Sequence, residues 1–265
     1  MSKNFRKEIE KFQKKLKFGE PFALTRFSDG EAMILADWNL ELGEQIKFGT
    51  DDNMKTHNYA YPKEDHKKYN PKKDSWFRDK LLESFLHEQD GYYKGIHTGR
   101  DELYDLQFDL LKKSKEEVTV DEHYTFSDVF VNGNYPYFLE QLMPYFFNYD
   151  VSIICNENAN IDSLPFKVKK DFRVGYNCMI NNYDIIEDIK KYIDDNNIEN
   201  QLFLFSASAL SETAIHQLYS HCDKNTYLDI GTCLNYFMDI TIDRAYLRAF
   251  WKASGEPDIT RMNEW

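Results

Sequence analysis

The sequence predicts a doubly wound α/β fold, a mostly parallel sheet flanked by helices. Three observations point there. Short apolar runs without alternation, VSIIC at 151–155, LFLF at 202–205 and YLDI at 227–230, read as strands buried on both faces, as a parallel sheet requires. Segments of helical period separate them, so the second half alternates strand and helix three times. Near the start, PFALTRF runs into the tight turn Ser28-Asp29-Gly30-Glu31 and then into AMILADWNL, the strand–turn–helix opening of an α/β unit.

The elements follow in order. Phe5, Ile9, Phe12 and Leu16 share one face of an amphipathic helix expected over 3–17, which Gly19 and Pro21 stop. After the first strand and helix, residues 49–75 are polar, irregular and rich in Lys, Tyr and Asn, and read as a long loop. From Lys55 to Lys80 there are seven Lys and one Arg against four acids, a local charge of +4 in a chain of −12. Trp76, Phe77, Leu81, Leu82 and Phe85 restore a helical spacing, YYKGI at 92–96 reads as a strand, and a helix is expected over 101–113. VNGNYPYF at 131–138 places a helix start near Pro136. Ile185, Ile186, Ile189 and Ile193 mark a helix over 183–193, another is expected over 211–220, and the tail reads as helical to about Phe250. No internal repeat or low-complexity segment interrupts this order.

Composition bounds the function. Hydrophobic residues at 42% and charged residues at 29% describe a folded globular chain, which excludes a disordered or fibrous one. A formal charge of −12 argues against a nucleic-acid coat protein or a polybasic membrane binder, while leaving room for a local basic patch. No apolar run approaches the roughly 18–20 residues of a membrane-spanning helix. The N-terminus lacks the apolar centre of a signal peptide. Four cysteines without a CxxC pair read as reduced thiols, which predicts a cytoplasmic protein without disulfides or zinc.

In open α/β sheets, ligands bind beyond the carboxyl ends of the strands, so the residues after each strand are the candidates. These are Ser28–Glu31, Asn156-Glu157-Asn158, Ser206-Ala207-Ser208 and Gly231-Thr232. Asp29 and Glu31, separated by a glycine that permits a tight turn, can converge on Mg²⁺ or Mn²⁺, hard ions that bridge to phosphates. Ser28 to Glu31 equally spells the S-x-x-E of a capping box, and both readings can hold together. Arg26 is spaced to pair with Asp29 or with a diphosphate. Ser206, Ser208 and Ser211 lie where a helix N-terminus could take a phosphate, or simply be capped. The chain has no P-loop, GxGxxG, GxSxG or HExxH, which argues against P-loop NTPases, ordinary dehydrogenases, α/β-hydrolases and zincins. His216, within a helix, reads as structural.

Arg26-Phe27-Ser28-Asp29-Gly30-Glu31, after a strand near the N-terminus, resembles the R-[FY]-x-D-G-E segment of GT-D-type (DUF1792-like) glycosyltransferases. VNGNYPYF at 131–138, CNENA at 155–159, FLFSASALS at 203–211 and YLDIGTCLNYF at 227–237 resemble segments of phage and viral members of that group. Ser28 stands where glycine is common. The resemblance spans about residues 22–250 and implies a single Rossmann-like domain over 1–265. It further implies metal-dependent transfer of a sugar from a nucleoside-diphosphate donor, UDP-linked by expectation, to a hydroxyl acceptor. Asp29 and Glu31 would hold Mn²⁺ or Mg²⁺. Arg26, Ser28, Asn132, Asn134, Ser206, Ser208 and Arg244 would bind the donor, and Glu157 or Asp229 would serve as base. The acceptor could be a hydroxymethylated base in phage DNA, in a host cytoplasm, or a glycan. Two other readings use the same residues. One is a nucleotide phosphohydrolase or nucleotidyltransferase. The other is a non-catalytic phage or viral binding protein in which Ser28–Glu31 only caps a helix.

Overall fold

The computed structural model describes residues 5–97, 102–114 and 123–252. Residues 3 and 4 of the first expected helix and residue 101 of another lie outside this set. Seven parallel strands form the main sheet: β1 (Ala23–Arg26), β6 (Tyr92–Ile96), β7 (Tyr124–Phe126), β8 (Val151–Asn156), β9 (Val168–Val174), β10 (Leu202–Phe205) and β11 (Thr226–Asp229), in the order β7-β6-β1-β11-β10-β8-β9. Strand β1 therefore divides the sheet, with β6 and β7 on one side and the four later strands on the other.

The unalternating strands bury both faces, as their sequences require. Leu202 and Leu204 join one core cluster, with Phe12, Phe22 and Phe130, and Phe203 and Phe205 join the other, with Phe27 and Phe85. Helix α1 (Phe5–Phe18) covers the first cluster through Ile9, Phe12 and Leu16. On the second, the helix Leu210–His221 packs on α3 (Pro71–Leu86) and on β1 and β11, while α2 (Asp29–Leu35) contacts α3 and α4 (Glu102–Ser114). Asn70 caps α3, its side chain accepting from the Lys72 N–H at 3.0 Å ahead of Pro71 at the first helical position.

Three sequence expectations are corrected. Residues 49–75 are not a loop: β2 (Asn39–Leu42), β3 (Ile46–Thr50), β4 (Asn53–His57) and β5 (Lys67–Tyr69) make an antiparallel sheet of order β4-β3-β2-β5, inserted between α2 and α3. Its strands are polar because β4 is exposed throughout and β5 buries only Tyr69, so they lack the apolar signature of the main sheet. The helix expected near Pro136 is a chain of short helical turns from Asn132 to Asn148, because Pro136 and Pro144 remove backbone donors. The tail is not one helix either. Gly231 and Asp239 take left-handed backbone angles (φ 49° and 56°), which break it into turns followed by short helical turns at Ala245–Leu247 and Arg248–Lys252.

Candidate active site at the dividing strand

At the carboxyl ends of β1, β6, β10 and β11 a cavity of about 720 Å³ opens, roofed by the inserted sheet. It collects Arg26, Ser28, Asp29, Glu31, Asn132, Ser206, Ser208, Asp229 and Arg244 from five separate parts of the chain. Asn134 is not among them: it is buried below, donating its side-chain N–H to the Asp128 carbonyl at 3.3 Å. Glu157 also lies elsewhere, lining an adjoining groove with Tyr176 and Lys68 and resting over Gly175. The cause is topological, since two strands, β11 and β10, separate β8 from β1.

Arg26 does not pair with Asp29. Its Nε donates to Asp229 Oδ2 at 3.1 Å and to the Asp229 carbonyl at 2.9 Å, Nη2 to Asp229 Oδ1 at 3.4 Å, and Nη1 to the Ser127 carbonyl at 3.1 Å. Burial, the largest single effect, would lower the guanidinium's pKa, but the Asp229 charge and hydrogen bond together with Cys233 and Tyr246 outweigh it and hold Arg26 above its ordinary value. Asp229 also accepts the Gly231 N–H at 2.9 Å. The carboxylate expected as a base is thus the counter-ion that keeps a buried arginine in place.

The Asp-x-Glu pair splits. The Ser28 N–H donates to Glu31 Oε2 at 3.1 Å, so the capping box exists. Glu31 Oε1 faces the Lys67 ammonium at 3.8 Å. Asp29 instead lies 3.1 Å from Nδ1 of His97, at the end of β6. A donor set for a divalent ion does not result: the two carboxylates serve different partners, one of them an ammonium. No group of three or more His, Cys, Asp and Glu placed to hold a metal occurs among the described residues. The two carboxylates, turned to different partners, therefore form no preformed cage for the expected Mn²⁺ or Mg²⁺.

Ser208 sits at φ 52°, an uncommon backbone for a side-chain-bearing residue, and its Oγ accepts from Lys67 Nζ at 2.7 Å. Ser211 is consumed locally, its hydroxyl accepting the Ala207 N–H at 3.3 Å. Arg244 pairs with Asp65 at 3.1 Å and lies over the Tyr61 ring.

Three cavity residues escaped the sequence reading. Lys67 was hidden in a segment that read as loop. His97 follows a strand end, the one signal that could have singled it out. Glu212 sits inside the first turn of its helix, buried, with Oε2 lacking a hydrogen-bond partner among the described residues. Burial, followed by the negative charges of Asp229 and Glu31, raises the Glu212 carboxyl well above the usual carboxylate range.

No protein-family model matches the sequence, and no curated protein matches it. Solved structures do. A protein described as a highly conserved domain of unknown function 1792 with a distinct glycosyltransferase fold is similar at TM-score 0.49 and 12% identity, over 88% of this chain and 81% of that one. A new glycosyltransferase (DUF1792) from Streptococcus sanguinis is similar at TM-score 0.49 and 15% identity, over 88% and 84%. Nothing in these likenesses points to a phage or viral branch.

Proposed function

We propose that this chain is a glycosyltransferase that moves a sugar from a nucleoside-diphosphate donor, UDP-linked in the first instance, to a hydroxyl acceptor. The observation that carries the reading is the position of Arg26–Glu31: the segment leaves the dividing strand and opens on the 720 Å³ cavity beside three cationic side chains, Arg26, Lys67 and Arg244. A diphosphate leaving group needs positive charge, and a sugar needs hydroxyl and amide partners of the kind Asn132, Ser206 and Ser208 offer there.

Of the groups at hand, His97 is best arranged to take the acceptor's proton. Asp29 lies 3.1 Å from Nδ1, where its carboxylate can orient the ring and steady the imidazolium that proton uptake would create. Asp29 then orients the ring rather than binding an ion. The acceptor is more naturally a glycan than DNA, because lysines of the +4 segment are already ion-paired: Lys55 with Glu102 at 3.1 Å, Lys68 with Glu41 at 3.0 Å and Lys72 with Asp51 at 2.6 Å.

The test is a panel of UDP-, GDP- and CMP-sugars incubated with the purified protein, with simple glycans and hydroxymethylated DNA as acceptors. Nucleotide release from one donor, with sugar recovered on an acceptor, is expected. Release of phosphate or pyrophosphate from nucleoside triphosphates, with no sugar transferred, would replace this reading by the phosphohydrolase or nucleotidyltransferase one.

A further inference from the structure

We infer that Lys67 is the resident cation of this site, binding the donor's diphosphate where an Asp-x-Glu segment would otherwise call for a divalent ion; the inference rests on the glycosyltransferase reading above. Its starting point is the insertion. Strand β5 pairs with β2, Leu42 opposite Lys67, at the edge of the small sheet that hangs over the cavity. From there the lysine stem reaches down among residues of the main sheet's strand ends, and only 13% of its side chain remains exposed.

The seat of the ammonium is built by three elements. Ser208, in its left-handed backbone position after β10, gives a hydroxyl acceptor at 2.7 Å. Glu31 gives a carboxylate oxygen at 3.8 Å, beyond hydrogen-bond distance. Gly30 gives room: a Cβ there would stand 3.2 Å from Nζ, so the glycine between the two acids leaves the space into which the lysine reaches. The glycine that the sequence suggested for a tight turn is approached, in the folded chain, by an ammonium.

The other two cations are committed more fully. Arg26 spends its donors on Asp229 and the Ser127 carbonyl, and Arg244 is in contact with Asp65 and stacked on Tyr61. Lys67 is held by one neutral hydroxyl and one distant carboxylate, so its charge is the least compensated of the three. An ammonium is a compact point charge with three donors, suited to phosphate oxygens without any fixed fork geometry. Diphosphate oxygens entering from the cavity meet Lys67 and the Ser208 hydroxyl together. Glu31 positions the lysine and competes with the phosphate for it.

The experiment is calorimetric titration of UDP, with uridine, GDP and CDP in parallel, into the wild type, Lys67→Gln, Lys67→Arg and Glu31→Gln, each in EDTA and in Mn²⁺. The wild type is expected to bind UDP equally, within about twofold, in both conditions. Lys67→Gln should lose tenfold or more for UDP and nothing for uridine, the nucleoside serving as the check that the site is folded. Lys67→Arg should keep part of the affinity. Glu31→Gln, which preserves the cap, should keep UDP affinity within threefold in EDTA. UDP binding that needs Mn²⁺, or that disappears in Glu31→Gln while surviving in Lys67→Gln, overturns the inference and leaves the glycosyltransferase reading standing. Failure of the wild type to bind any of these nucleotides in either condition overturns both.

Discussion

Replacing Asp229 with Ala tests the central electrostatic feature of the site. The pair it breaks is buried on both sides, Arg26 being 7% exposed and Asp229 4%. Two side-chain contacts to the guanidinium disappear, the one to the Asp229 backbone carbonyl remains, and the Gly231 N–H loses its acceptor. Removing one partner of a buried pair costs about 3–5 kcal/mol, because a desolvated charge is left behind. Here the adjoining cavity lets water reach the guanidinium, so the lower end, about 3 kcal/mol, is expected. At roughly 2–4 °C per kcal/mol for a chain of this size, the melting temperature should fall by about 10 °C. The assay is thermal and urea unfolding of Asp229→Ala, Arg26→Met and the double variant. Coupling in that cycle should be about 2–3 kcal/mol, since the double variant carries no orphaned charge. Strictly additive single effects, or a loss below about 1 kcal/mol in Asp229→Ala, would refute the assignment of Asp229 as counter-ion.

Three further outcomes follow from the same geometry. Glu212 has its carboxyl raised in the fold, so the native state holds a proton that the unfolded chain releases above its ordinary range, and stability contributed below that range is lost as pH rises. Glu212→Gln should therefore gain urea stability over the wild type at pH 8 and not at pH 4, and a difference that does not grow with pH contradicts this. His97→Gln should lower kcat for sugar transfer by about 10²–10⁴-fold with UDP affinity retained, and a kcat within threefold of wild type removes His97 as base. Gly231→Ala combines a left-handed residue (φ 49°) with a Cβ aimed at Arg26 Nη2, and should cost about 1–3 kcal/mol by urea unfolding; an unchanged midpoint would mean that the arginine is not fixed there.

The main sheet was largely legible because its strands are buried on both faces. VSIIC, LFLF and YLDI are mostly apolar and show no polar alternation, and the isoleucines of the helix Ile185–Asn196 repeat at helical spacing. What escaped is what packs on one side only. Strand β9, VKKDFRV, lies at the sheet edge, exposes Lys169 and Lys170 and buries only Phe172 and Val174, and β4 buries nothing. The site was legible as a set of strand ends and through the family resemblance, which together brought nine of its residues forward, but not as a set of pairs. Local spacing suggested Arg26 with Asp29, whereas the partner lies 203 positions away on the neighbouring strand. Lys67 was invisible for a related reason: a long-range register, Leu42 opposite Lys67, aims it, and nothing in KEDHKKY announces that register.

The position of β1 has a consequence for the birth of the molecule. Its neighbour β11 pairs Ala23 with Tyr227, so one edge of the dividing strand stays open until the chain has grown by some 200 residues. At about 5–20 residues per second on the ribosome, that interval is roughly 10–40 s. Strand β6 can close the other edge much earlier, at Ala23 with Tyr92. During the wait a hydrophobic strand edge and an arginine without its counter-ion face solvent or a chaperone. The last central strand to be synthesised therefore both completes the sheet and neutralises the arginine, which makes assembly of the cavity a late, single event in the life of each chain.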